Sequence, residues 1–426
     1  MDLLLFGVFL GLMFGGVPLA VAMGLAGAAV VAASGLGIMS LPTNVYTGIA
    51  KYPLMAIPVF VIAGLIFERA GVAAGIVRFA SALIGQRRGA LAMVAVLVAM
   101  VLGGISGSGP ADSAAVGAVM LPSMLKAGYP RPFSAGVIAA AGSTGILIPP
   151  SIAFVIYSLL VPQASVPALF AGGLIPGILS GLSLIAVVWW LSRRHGFENE
   201  PTETRPPFWR SLREAGWGLA APVIILGGMR SGYFTPTEAA VVAVFYGFAV
   251  GLLVYRTLTW RGIYDVLVES AEISAVILLV VALASVFAWA SSTLGTFDSL
   301  AKALLGVGAS ETSMLLMIQL LLLIAGMFLD AISIFFIFLP LLVPIATHYD
   351  WNLVWFGIII TMNMALGQFH PPLGVNLMVT CRMAAISMES TIPWVIWMVL
   401  AMAGAMLLVT FVPDIALWLP RHLGYL

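Results

Sequence analysis

Charge is nearly missing from this sequence. Asp, Glu, Lys and Arg together make up 8% of its 426 residues, while apolar residues make up 62%. Soluble domains carry about 25% charged residues, so a chain this poor in charge has no polar coat and belongs in a bilayer. A net charge of +1 offers no basic surface and argues against nucleic acid as a partner. Cysteine is as scarce: the single Cys381 excludes an intramolecular disulfide and any cysteine-based metal cluster. The four histidines (His195, His348, His370 and His422) lie far apart and show no HExxH spacing. The opening MDLLLFGVFL has no positive region ahead of its apolar run, so it reads as a retained membrane segment rather than a cleaved signal.

What is present is a succession of long apolar runs, and the expected fold is an all-α polytopic membrane protein. With about 20 apolar residues per crossing, candidate segments fall at 3–33, 53–69, 88–126, 132–161, 166–192, 213–230, 236–255, 271–295, 312–347, 353–384 and 391–418. Gly15, Gly16 and Pro18 either kink one long helix in the first run or divide two short ones. The stretch TWRGIYDVLVES, 259–270, is amphipathic and predicts a helix lying along the interface. Trp189, Trp190, Trp351 and Trp355 are expected as interface anchors.

Two runs, 88–126 and 312–347, are too long for one crossing and are interrupted by GGISGSGPADS (103–113) and GMFLDAIS (326–333). Each predicts a re-entrant helical hairpin whose tip stops inside the membrane. Arg87, Arg88, Lys126 and Arg131 flank the first hairpin and place its ends in the cytoplasm, as do the arginines of the loop 193–213 for their own ends. The second hairpin has no basic excess and should enter from the opposite face. The loop 193–213 is rich in Pro, Glu and Thr, and reads as a cytoplasmic linker between halves 1–192 and 214–426.

The halves repeat. A double proline interrupts an apolar run twice, in GSTGILIPPSIAFVIY and in ALGQFHPPLGVNL, and Pro149 and Pro371 are 222 positions apart. The same offset carries Gly104 to Gly326, Ser108 to Asp330, Pro122 to Pro344, Gly145 to Gly367 and Pro150 to Pro372. Proline removes a backbone donor, and in hydrocarbon the freed carbonyl needs protein or a polar cavity to cover it. With opposite hairpin entry, the pattern is an inverted-topology repeat with broken helices at 132–161 and 353–384, the sequence signature of a midplane substrate and ion site in secondary transporters. Unwound carbonyls suit a cation, and half-helix N-termini suit an anion.

The segments GGISGSGPADSAAVGAVMLPSMLKAGYP, GSTGILIPPSIAFVIY, GYFTPTEAAVVAVFYG, GMFLDAISIFFIFLPLLVPIA and ALGQFHPPLGVNL resemble, in order, the large membrane subunit of tripartite ATP-independent periplasmic (TRAP) transporters. The resemblance covers nearly the whole chain. It implies a sodium-driven, elevator-type importer of a small organic acid in the bacterial inner membrane, needing no cofactor beyond Na+ as coupling ion. It also implies two separate partner chains, a small four-helix membrane subunit and a periplasmic substrate-binding protein. Carried over by position, one sodium site joins Ser106 and Ser108 to Gly145, Ile148 and Pro150, and a second joins Gly326 and Asp330 to Gly367, His370 and Leu373. Most of these act through backbone carbonyls, oxygen ligands suited to a hard cation. Substrate then lies near Asp112, Thr144 and Asn376. Asp112, His370 and the pair Gly109-Pro110 depart from the family pattern.

Each of these residues has a plainer role beside the functional one. Ser106 and Ser108 suit close helix packing. Asp330 and Asp112 suit capping of the helices that follow them, and Glu238 suits a first-turn position behind Thr235 or Thr237. His370 suits a hydrogen bond to a carbonyl freed by the prolines, or a titrating role. Rival functions are a binding-protein-independent organic anion symporter, a channel, and an intramembrane serine protease built on Gly104-Ile105-Ser106-Gly107 with His370 as base.

Overall fold

The computed structural model of the chain describes residues 1–197, 206–306, 308 and 310–426, and every regular element among them is a helix. Residues 198–205 of the expected linker, Arg205 included, lie outside the described residues. On either side of that gap, helix Val166–His195 runs three residues past the expected end, and helix Phe208–Arg230 starts five residues early.

Six helices are long and apolar enough to cross a bilayer, from Tyr52–Arg69 to Glu389–Phe411. The hairpin and break regions are built from shorter pieces. Ala90–Ser106 and Gly109–Lys126 are joined by Gly107 and Ser108 and pack on each other. Arg131–Ser143 gives way at Thr144 to a short 3₁₀ turn and the Pro149-Pro150 pair before Ile152–Leu160 resumes. At 1.5 Å per residue the 17-residue helix Ala90–Ser106 reaches about 25 Å, less than the roughly 30 Å of a hydrocarbon core.

The 222-residue offset holds for the elements themselves. Adding it to 109 and 126 gives 331 and 348, the bounds of helix Ala331–His348. Adding it to 131 gives 353, where Leu353–Gly367 begins, and adding it to 152 gives 374, one residue before Val375–Ala384. Even two helices not anticipated from the apolar runs, Val72–Ile84 and Thr296–Gly306, correspond. Both breaks contain a cis Pro-Pro bond, Pro149-Pro150 and Pro371-Pro372.

The halves of the sequence are interleaved in space. Leu19–Ser34 and Ala56–Arg69 of the first half pack on Trp260–Thr293 of the second, and Val375–Ala384 packs on Gly109–Lys126 and Arg131–Ser143. One apolar core runs through both.

One open alternative is decided and two local expectations change. The first run divides into Asp2–Phe14 and Leu19–Ser34, because Pro18 cannot continue a helix through Gly15 and Gly16. The interface helix expected at 259–270 is instead the start of one 34-residue helix, Trp260–Thr293. Its polar face is not left to find a membrane surface: Arg69 bonds Glu269 at 2.6 Å and lies 3.7 Å from Asp265. With no proline between Thr259 and Thr293, nothing breaks the helix there. Third, Trp351 and Trp355 are not interface anchors. They are 6% and 5% exposed, and their indoles donate inward, to Glu311 Oε1 at 2.8 Å and to the Val409 carbonyl at 2.9 Å. Trp189 and Trp190 stay on the outer surface. Replacing Trp355 by Phe removes a buried donor and is expected to cost about 1 kcal/mol of stability, read from the unfolding midpoint in detergent.

Candidate functional site

Each hairpin tip meets a broken helix through a pair of glycines. A Cβ on Gly103 would lie 2.3 Å from Gly145 Cα, and one on Gly367 would lie 2.8 Å from the Gly326 backbone. Only glycine lets the main chains approach this closely. Gly145 and Gly367 are offset-related, but their partners Gly103 and Gly326 are one position out of register, so a similar junction is built twice with a one-residue shift. At the first tip, Gly107 turns the chain with φ +63, and a Cβ there would lie 2.8 Å from the Pro150 carbonyl oxygen. The tip therefore rests on the unwound carbonyls of the break.

The structure brings the first set together. Ser106, Gly145, Ile148 and Pro150 lie around this junction, with Gly104 facing the Ile148 side chain and the Pro149 carbonyl. Ser106 Oγ accepts from the Ser108 amide at 3.2 Å and donates to Asp112 Oδ1 at 2.5 Å. Ser108 is the N-cap residue of Gly109–Lys126 but makes no side-chain cap bond. Asp112 does not cap either. It is 2% exposed, and its Oδ2 has no hydrogen-bond partner among the described residues although it lies against Gly145.

The second set is gathered less completely. Gly326 touches Gly367, but the hydrogen bonds of the Asp330 side chain among the described residues are all local. Its Oδ2 accepts from the Ile332 amide at 3.0 Å and the Ser333 amide at 3.4 Å, and its Oδ1 accepts from the Ser333 hydroxyl. This is an N-cap for Ala331–His348. His370 Nδ1 pairs with the Pro371 carbonyl beside it. Leu373 is 38% exposed, whereas the first break from Gly142 to Ile152 is buried throughout.

Of the three residues expected near substrate, Thr144 spends its hydroxyl on the Ala141 carbonyl at 2.7 Å. Asn376 is fully buried and donates to the Ala139 carbonyl and to Gln368 Oε1, both at 3.3 Å, while its own Oδ1 has no partner. Asp112 sits at the first tip, against Gly145 and Ser106 rather than Asn376. Two neighbours were missed in the sequence. Gln368 and Asn376 both reach Gly109 of the first tip, and Ser113, buried with an unpartnered hydroxyl, lies against Gly142. Gln368 carried a signal, a polar side chain inside the break of an apolar run; Ser113 carried none, since serine also packs helices. Glu238 is structural: with Thr235 it forms a complete capping box. Ser106 is bonded to Asp112 and His370 to Pro371, so no serine–histidine dyad is formed.

Asp112, Ser113 and Asn376 each keep a buried oxygen without a partner among the described residues, and oxygen atoms are the ligands a hard cation takes. The profile of the family described as "Tripartite ATP-independent periplasmic transporter, DctM component" matches residues 6–415. The chain belongs to this family. It is a TRAP transporter large permease chain and, with its run of apolar helices, a multi-pass membrane protein. It is 36% identical over 440 residues to the C4-dicarboxylate TRAP transporter large permease protein DctM of Rhodobacter capsulatus, covering 99% of both chains. It is 38% identical over 416 residues to the isethionate TRAP transporter permease protein DctMQ of Oleidesulfovibrio alaskensis, covering 97% of this chain but 65% of that protein's length. The fold is similar to that of the YdaH transporter of Alcanivorax borkumensis, with a TM-score of 0.60 at 14% identity, covering 89% of this chain and 90% of that one.

Proposed function

We propose that this DctM-family chain is the sodium-coupled translocating subunit of a TRAP system in the bacterial inner membrane. It imports a small organic acid delivered by a periplasmic binding protein, and it works with a small four-helix membrane subunit. The observation that carries this reading is the doubled junction: a glycine-joined tip and break in each half, between helices whose bounds keep one constant offset. The halves 1–192 and 214–426, joined by the linker 193–213, are read as inverted repeats. Their hairpins 88–126 and 312–347 are read as re-entrant, which the short reach of Ala90–Ser106 supports.

Ser106, Ser108, Gly145, Ile148 and Pro150 hold one sodium ion, and Gly326, Asp330, Gly367, His370 and Leu373 hold the other. When bound, sodium supplies positive charge that an organic anion needs in a low-dielectric site. Thr144 and Asn376, with Gln368 and Ser113 beside them, then orient the anion between the tips. Among relatives, the names specify a C4-dicarboxylate and isethionate, so an acid group on a small carbon skeleton is the shared chemistry. Movement of hairpins and broken helices together, as an elevator, carries site and substrate across.

The test is uptake into proteoliposomes holding the chain and its small subunit. Uptake is expected only with loaded binding protein and an inward sodium gradient. Uptake that persists without the binding protein supports the binding-protein-independent symporter instead, and uptake unchanged in choline overturns the coupling.

A further inference from the structure

The two tips each carry one carboxylate, and the structure treats them differently. Asp330 occupies an N-cap and engages both of its oxygens in hydrogen bonds to its own helix. Asp112 lies one turn further along the corresponding helix and engages only Oδ1, with Ser106. Its Oδ2 is buried and unpartnered, and it faces Gly145, where a Cβ would come within 2.0 Å of it. No cation among the described residues answers this charge. A cavity of about 20 Å³ beside it is lined by Ser106, Asp112 and a second acid, Glu68, within an apolar wall that includes Phe67 and Leu102. That volume holds roughly one water or one bare ion. Arg69, next in sequence to Glu68, is committed to Glu269 and Asp265. An uncompensated carboxylate buried in this way is costly.

We propose that the Asp112 carboxylate is the charged side-chain ligand of a sodium ion at the first tip. The Ser106 hydroxyl holds its other oxygen in place. The proposal rests on the sodium reading of the first tip and adds a residue to it.

The experiment is thermal unfolding of the purified full chain in detergent, with sodium chloride titrated against choline chloride. Wild type, Asp112→Asn and Asp112→Ser are compared. Asparagine keeps the shape and removes the charge; serine removes the carboxylate altogether. In choline both variants are expected to melt above wild type, because an orphan charge is gone. In saturating sodium the order is expected to reverse, with the half-saturating sodium concentration of Asp112→Asn raised about tenfold or more. A wild type that responds to sodium with the same midpoint as both variants overturns the role of Asp112 and leaves the sodium reading standing. A wild type that melts alike in the two salts overturns both. Variants that fail to fold in choline also overturn the proposal, since removing an uncompensated charge would then be destabilising.

Discussion

Gly103→Ala is expected to disable the protein although it adds a single methyl group. The new Cβ would sit 2.3 Å from Gly145 Cα, a main-chain atom that no rotamer change can move aside. Either the first tip lifts off the break or the break itself shifts. Overpacking of this kind costs about 1–3 kcal/mol in an ordinary core, and this contact is backbone against backbone, so the upper end applies. Because the displaced atoms are those proposed to hold a cation, uptake should fall further than stability does. The controls lie on either side. Gly104→Ala meets its nearest neighbours at 3.3 Å and should be milder. Gly367→Ala meets the Gly326 backbone at 2.8 Å and should reproduce the defect in the second half. Unfolding midpoints and initial uptake rates of the three variants check this. A Gly103→Ala protein that melts and transports like wild type would show that the junction is not a close-packed element.

Asp330→Ala carries the second large effect, and it separates two roles. The Asp330 carboxylate accepts from two backbone amides at the start of Ala331–His348. Replacing a capping Asp by Ala costs about 0.5–2 kcal/mol, and the upper part of the range is expected here, because the tip, on the proposed re-entrant reading, has little water to satisfy the released amides. Asp330→Asn keeps an accepting oxygen and is expected to restore most of that stability. If Asp330 serves only as a cap, the sodium-dependent shift in melting survives in Asp330→Asn; if its charge helps hold the ion, the shift weakens while the midpoint in choline stays near wild type. The offset-related Ser108 makes no cap bond, so Ser108→Ala should leave the midpoint unchanged. Melting curves of the four proteins in sodium and in choline decide between these outcomes.

Much of the architecture was legible because helix breakers in an apolar chain are few, costly and therefore informative. Pro149, Pro150, Pro371 and Pro372 marked both breaks, and the glycines and polar residues at 103–113 and 326–333 marked both tips to within a few residues. The constant offset was readable for the same reason: breakers keep register even where the apolar residues between them drift. Trp351 and Trp355 were misread because tryptophan is equally at home at an interface and in a core with an acceptor in reach. Here Glu311 and the Val409 carbonyl supplied the acceptors from distant parts of the chain. The 259–270 stretch was misread for a related reason, since its acidic face found Arg69 from the other half of the sequence.

By itself, the sequence determined that this is an all-helical membrane chain with two matched, interrupted halves, because composition and breakers act locally and need no partner to be read. Only the tertiary structure decided which acid is spent and which is spare. Asp112 and Asp330 look alike in sequence, each a carboxylate in a Gly-containing interruption just ahead of an apolar helix. Whether a carboxylate oxygen is satisfied depends on the amides and hydroxyls that folding brings within 3 Å of it. Asp330 finds them on its own helix, whereas Asp112 is left with one oxygen facing a glycine 33 residues away.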